Sequence, residues 1–292
     1  MKTTIQTARL PLSARVAVTL AMGMLAVAQT ALAAGPTPVG LGTAEPFAVL
    51  AGTPGVTNTG TTTITGDVGI DPAASVSGFP PGIVNGTIHT ADAVALQAKI
   101  DLATAYVDAA GRSVTATHGV LGGLTLVAGV YNAGGVTLDL TGTLTLDGQN
   151  DPNSVWIFQA TSDLVTASSS SVRFVNGGQP CNVFWQVTSS ATLGSGSNFV
   201  GTILALTSIT VATGATIDGR ALARNAAVTL DSNTITRSTC ATTASPSGSV
   251  PNAAFSGSNS GGPVSPLLFA LVVIGSLGAL AAANVRTARR HK

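Results

Sequence analysis

Apolar and polar positions alternate in short runs through the second half of the chain, and five of these runs share one form. They are Thr143-Leu144-Thr145-Leu146-Asp147, Leu164-Val165-Thr166-Ala167-Ser168, Ser190-Ala191-Thr192-Leu193-Gly194, Ser208-Ile209-Thr210-Val211-Ala212 and Ala227-Val228-Thr229-Leu230-Asp231. In each, a central Thr is flanked by apolar residues, the period-two pattern of a strand whose Thr points outward. The central threonines lie 21, 26, 18 and 19 residues apart, about one coil of a β-solenoid each, with an insertion in the second interval. A further apolar position, at Val172, Phe199, Ile217 and Ile235, follows the central Thr by 6, 7, 7 and 6 residues. That constancy predicts stacked coils. Stacking would place Thr145, Thr166, Thr192, Thr210 and Thr229 in one outward column, one Thr every ~4.8 Å.

The period changes ahead of these coils. Residues 34–88 hold Gly/Thr/Pro-rich strand pieces, expected to form first coils or an end cap. From Thr90 to Ala110, Leu96, Ile100, Ala103, Val107 and Ala110 recur at helical spacing, an apolar stripe read as the buried face of a helix. Thr90 is the expected N-cap, with Asp92 in the first turn and Gly111 at the end. About 20 residues make a rod of ~30 Å, and six coils make a stack of ~29 Å. The helix is therefore expected to lie along the stack and cover one flank.

Composition sharpens the picture. Only 9% of residues are charged and 4% aromatic, against about 25% charged in an ordinary domain. The net charge of +1 hides an asymmetry: seven of the 13 basic residues sit at the two termini, leaving six against all 12 acids between. The middle is acidic, which disfavours a nucleic-acid partner. A basic start, an apolar stretch from Val16 and Ala31-Leu32-Ala33 mark 1–33 as a secretory signal. Residues 241–266 read as a flexible Ser/Gly/Pro linker. Residues 267–285 form an apolar segment long enough to span a bilayer or serve as a sorting helix, and 286–292 a basic cytoplasmic tail. The expectation is an exported, monomeric domain over 34–240, displayed at the cell surface through a membrane helix or released. Cys181 and Cys240 both fall in that domain, where an even count favours a disulfide. Two free thiols or a metal pair are the alternatives.

Enzymatic chemistry finds little support. Asp67, Asp71, Asp147, Asp151, Asp218 and Asp231 are scattered through separate coils rather than clustered as a lyase would need. His89 and His118 lack zinc-ligand spacing, and the glycines form no phosphate loop. No catalytic residue, metal or cofactor is expected. A sugar-binding adhesin should expose aromatics, yet Trp156, Trp185, Tyr106 and Tyr131 fall in segments that read as interior or lateral.

Several stretches carry a resemblance: Leu41 to Leu50, Thr65 to Gly69, Cys181 to Val187, Phe199 to Ala205, Thr213 to Ala223 and Val228 to Asp231. In the order of these stretches and their coverage of about residues 40–240, the chain resembles the bacterial and fungal ice-binding protein family. The resemblance implies a mainly β fold, a discontinuous right-handed parallel β-solenoid with one long α-helix along its side. It implies an ice crystal surface as partner. It also implies a flat Thr/Ser face as the binding surface, with Thr143, Thr145, Thr166, Ser168, Ser190, Thr192, Ser208, Thr210 and Thr229 as candidates. Asp147 and Asp231 would stand near the ends of that array. The alternative is an adhesin or structural module on the same fold.

Overall fold

The computed structural model describes residues 35–241. The segments expected to be a signal (1–33), a linker (beyond Ala241), a membrane or sorting helix (267–285) and a basic tail (286–292) lie outside the described residues. Among the described residues no helix is long and apolar enough to cross a membrane.

The predicted alternation becomes three walls of parallel strands around an apolar interior. In spatial order, the first wall comprises Leu138–Leu140, Leu164–Thr166, Ala191–Leu193, Ile209–Val211, Val228–Asp231, Val56–Thr59 and Val76–Ser77. We call it the threonine wall. The second wall runs from Thr125–Val127 through Thr143–Asp147 and Ser171–Val175 to the leading parts of Asn198–Ala205 and Thr216–Ala223. It ends with Thr234–Thr236, Thr63–Thr65 and Ile83–Asn85. The third includes Gly129–Asn132, Trp156–Ala160, Val183–Val187, the trailing parts of the two long strands, Phe47–Ala51 and Asp67–Ile70. Asn198–Ala205 and Thr216–Ala223 serve two walls because each turns a corner at a glycine, Gly201 (φ 109°) and Gly219 (φ 155°). At those φ values only glycine is unstrained.

The stack is out of sequence order. The first coil lies on the last: Val49 pairs with Ala221, Thr57 with Thr229 and Ile64 with Ile235. The second coil extends the stack beyond the first. Helix α1 (Ala93–Ala110) then carries the chain back, and Ala116–Thr117 begins again at the far end. At ~1.5 Å per residue the 18 residues span ~27 Å, close to the expected length.

Two expectations for the helix are corrected. The cap is Asp92, not Thr90: its carboxylate accepts from Ala95 N–H at 2.7 Å. The stripe Leu96, Ile100, Val107 faces outward, 49–63% exposed, whereas Ala95, Ala98, Leu102, Ala105, Tyr106 and Ala109 are buried. The third wall already supplies bulk, since Phe47, Leu50, Val130, Ile157, Phe184, Leu204 and Leu222 pack under the helix. A mostly alanine face lets the rod approach that surface closely, and the periodicity alone cannot tell which stripe is chosen.

The aromatic residues gather inside. Phe158 stacks on Trp185 at 4.0 Å between ring centroids, flanked by Tyr131 at 5.6 Å and Phe199 at 4.9 Å. Trp156 and Trp185 direct their indole N–H groups to the carbonyls of Leu126 and Val200. The interior is thus wide enough for large rings where the coils carry their insertion. Cys181 and Cys240 are joined, with Cα atoms 5.3 Å apart. They are 59 residues apart in sequence, and closing such a loop contributes roughly 3–5 kcal/mol in the chain-entropy account.

One ionisable group fastens the helix to the sheet. Lys99 donates from Nζ to the carbonyls of Ala223 and Arg224, where the long strand leaves the third wall. Burial lowers its pKa to about 8, with the nearby Arg224 adding to the drop and Asp71 opposing it. The folded pKa lies below the unfolded value, so between pH 8 and 10.5 the unfolded chain holds the extra proton and stability rises with pH. Lys99→Met keeps the apolar stem and removes the titration. Urea unfolding of wild type should gain about 2–3 kcal/mol from pH 7.5 to 10 through this group, a gain the variant lacks.

Candidate functional site

The outward positions of the threonine wall form a register-fixed column: Asp139–Val165–Thr192–Thr210–Thr229–Thr57–Ser77. Its middle is four consecutive exposed threonines, about 4.8 Å apart from strand to strand. Their neighbours inward, such as Ile209, Val211, Val228 and Leu230, are fully buried and hold the strands flat against the core. Among the described residues no protein group engages the hydroxyls of Thr192, Thr210, Thr229 or Thr57, so they face solvent. Beside the column stand Ala167, Gly194 and Ala212, which add little relief.

The nine candidate residues do not all share this wall. Thr192, Thr210 and Thr229 do, in the expected column. Ser190 and Ser208 stand at its near edge, with hydroxyls 2.9 Å apart, and Ser190 also meets Thr207 at 2.6 Å. Ser168 is exposed on the corner where the chain turns to the second wall, a corner that also carries Ser195, Thr213 and Thr59. Thr166 is corrected: its strand is shifted by one residue, so Val165 points out and Thr166 in. Its buried hydroxyl accepts from Gly194 N–H at 3.0 Å. A one-residue shift exchanges every side chain between the two faces of a strand. Thr143 and Thr145 are corrected as well, since Thr143–Asp147 belongs to the second wall. Thr145 is buried there beneath Arg173, whose Nε donates to its hydroxyl at 3.3 Å.

That second wall is also rich in hydroxyls. One column reads Thr143–Ser171–Asn198–Thr216–Thr234–Thr63 and ends on Ile83. Here the side chains satisfy one another: Thr143 and Ser171 are 2.9 Å apart, and Thr216 donates to Asn198 at 3.0 Å. The parallel column is broken by Arg173, Val200 and Asp218, and around Asp218 the surface dips into a groove of about 370 Å³. Burial raises the Asp218 pKa.

Carboxylates frame the threonine wall. Asp231, opposite Thr59, accepts from the hydroxyls of Thr213 and Ser232. Asp163, at the near edge, is held below the usual carboxylate range by Ser190 N–H and then by Ser189. Asp147, expected near an end of the array, lies on the second wall instead. Among the described residues, no three His, Cys, Asp or Glu side chains come together as a metal site.

Sequence reading missed Thr57 and Ser77. Thr57 alternates with buried Val56 and Asn58, but it joins the column through a strand pair far apart in sequence.

A parallel solenoid with one wall under a helix and another bearing a repeated outward hydroxyl column defines a protein that presents one flat, regular surface. The family described as Ice-binding-like matches residues 49–236, and the chain belongs to that family. It is 54% identical over 200 residues to an ice-binding protein of Nostoc sp. (strain HG1), covering 67% of this chain and 72% of that one. An ice-binding protein of Flavobacterium frigoris (strain PS1) is 37% identical, covering 68% and 76%. Among solved structures, an ice-binding protein from an Antarctic biological consortium matches with TM-score 0.69 and 48% identity, over 70% of this chain and 94% of its own. One from the Antarctic ascomycete Antarctomyces psychrotrophicus matches with TM-score 0.67 and 46% identity, over 70% and 100%.

Proposed function

We propose that the protein binds ice by adsorption through the threonine wall and thereby inhibits ice growth or recrystallisation. The observation that carries this reading is the in-register, exposed, uncharged run through Thr192, Thr210 and Thr229. β-Branching stiffens χ1, so the column keeps a near-fixed geometry without ordering cost at the moment of contact. Methyl groups order adjacent water, hydroxyls anchor it, and the ordered layer merges with an ice plane. Each contact is weak, but a rigid array makes every contact after the first intramolecular, which multiplies residence. Protein held at many points curves the ice front between them and slows its advance. This action needs no bond made or broken, in keeping with relatives that are ice-binding proteins.

The export signal and apolar segment read in the sequence support display at a cell surface, with the solenoid outside. The test is ice recrystallisation inhibition by the purified protein. Inhibition at micromolar concentration is expected. An inert protein would overturn the reading in favour of an adhesive or structural module on the same fold.

A further inference from the structure

The threonine column crosses a break in the chain. Thr229, in the last coil, lies opposite Thr57, in the first, and the ladder continues to Ser77 in the second coil. Thr57 is exposed, its strand neighbours are held inward, and the Asn58 side-chain amide donates to the carbonyls of Gly60 and Gly78 at 3.0 and 2.8 Å. The two coils are fastened on every wall. Gly52 N–H donates to Ala226 O, Thr53 N–H to Asn225 O and Ser232 N–H to Thr59 O. Asn233 N–H donates to Thr62 Oγ1 at 3.0 Å. Arg220, buried in the last coil, donates to the Glu45 carbonyl at 3.1 Å and its carboxylate at 2.8 Å, just ahead of the first coil.

Resting on the ice-binding reading, we propose that the working array is spliced from both ends of the exported domain: Thr57 is a fourth ice-contacting threonine, seated by docking of the first coil on the last. Of the five threonines that the sequence repeat aligns, three stand side by side on this wall, and Thr57 makes a fourth. The added contact lengthens the array by one strand spacing, about 4.8 Å, in the direction away from Val165. No charged side chain stands in the run from Thr192 to Thr57, Thr229 and Thr57 are direct partners in a parallel ladder, and Asp231 beside them is tied down by the hydroxyls of Thr213 and Ser232. The water layer ordered by one coil therefore continues over the other.

The test compares Thr57→Tyr, Thr210→Tyr and Thr65→Tyr, each shown by circular dichroism and thermal melting to be folded like wild type. Thr65 is exposed on the same first coil but on the second wall, so it controls for a bulky residue merely placed on that coil. The expected result is that Thr57→Tyr and Thr210→Tyr each raise the concentration needed for recrystallisation inhibition by roughly tenfold or more, as loss of array contacts implies, while Thr65→Tyr leaves it unchanged. Full activity in Thr57→Tyr beside a loss in Thr210→Tyr overturns the splice and leaves the threonine-wall reading standing. Full activity in both overturns that reading and the splice with it. Equal losses in Thr57→Tyr and Thr65→Tyr also overturn the splice, since the first coil would then be sensitive to bulk on either wall.

Discussion

Replacing Thr192 and Thr210 together with Tyr is expected to abolish ice recrystallisation inhibition without unfolding the protein. The two residues sit on adjacent strands at the centre of the column and are exposed. Both point away from the core, so the change costs little stability, within about 0.5 kcal/mol per site. Two rings standing above a flat wall lift the neighbouring threonines off any planar surface. An array acts through simultaneous contacts, and removing them at the centre forfeits the avidity factor, on the order of a hundredfold or more. The matching pair on the second wall, Thr216→Tyr with Thr234→Tyr, should retain activity, because that wall carries Arg173, Asp218 and a groove. If the second-wall pair silences the protein and the first does not, the working surface is the second wall. Measuring both pairs at one concentration series decides the matter.

The second large effect concerns stability. Gly219→Val is expected to cost about 4 kcal/mol or more, in the exceptional range for one substitution, read as a lowered midpoint in chemical denaturation. Two causes add. At φ 155° a β-branched residue is strained. A Cβ there would also run into the backbone of Gly201, which makes the same corner one coil away. The backbone cannot give way locally, since Thr202 and Arg220 just beyond are buried and paired across the ladder. Gly123, also at positive φ but with open space around it, serves as a comparison. Gly123→Ala should cost much less, at the scale of backbone strain alone.

The residues show where sequence reading succeeded and where it stopped. Thr192, Thr210 and Thr229 were legible because their coils run 18 and 19 residues without interruption, so a local repeat maps onto a spatial one. The apolar positions Phe199, Ile217 and Ile235 fall in register for the same reason. Thr166 and Thr145 were misplaced because the coils around them carry insertions. A run with the right pattern can then sit one residue out of phase, as Leu164–Thr166 does, or on the next wall, as Thr143–Asp147 does. Helix α1 was legible in extent but inverted in orientation, since a face of alanines gives a weaker apolar signal than Leu96, Ile100 and Val107. The Cys181–Cys240 pairing followed from an even count and held. Thr57 was out of reach: its partner strand is set by docking of the first coil on the last, which no local pattern encodes.

That docking changes how the molecule should come apart. Repeat solenoids usually unzip from their ends, because each repeat touches only its neighbours and a terminal one is held on a single side. Here the free ends of the described chain are not the ends of the stack. The first and last coils meet in its interior, and the coils at the two extremities are tethered to each other by α1. Peeling an outer coil means lifting the helix from the whole third wall. Asn233 and Thr62, which meet at the splice, are 171 residues apart, and closing such a loop costs of order 4–5 kcal/mol in chain entropy. Folding must therefore wait for the last coil before the first is sheltered. Unfolding should follow as one all-or-none transition in calorimetry rather than a progressive loss of repeats.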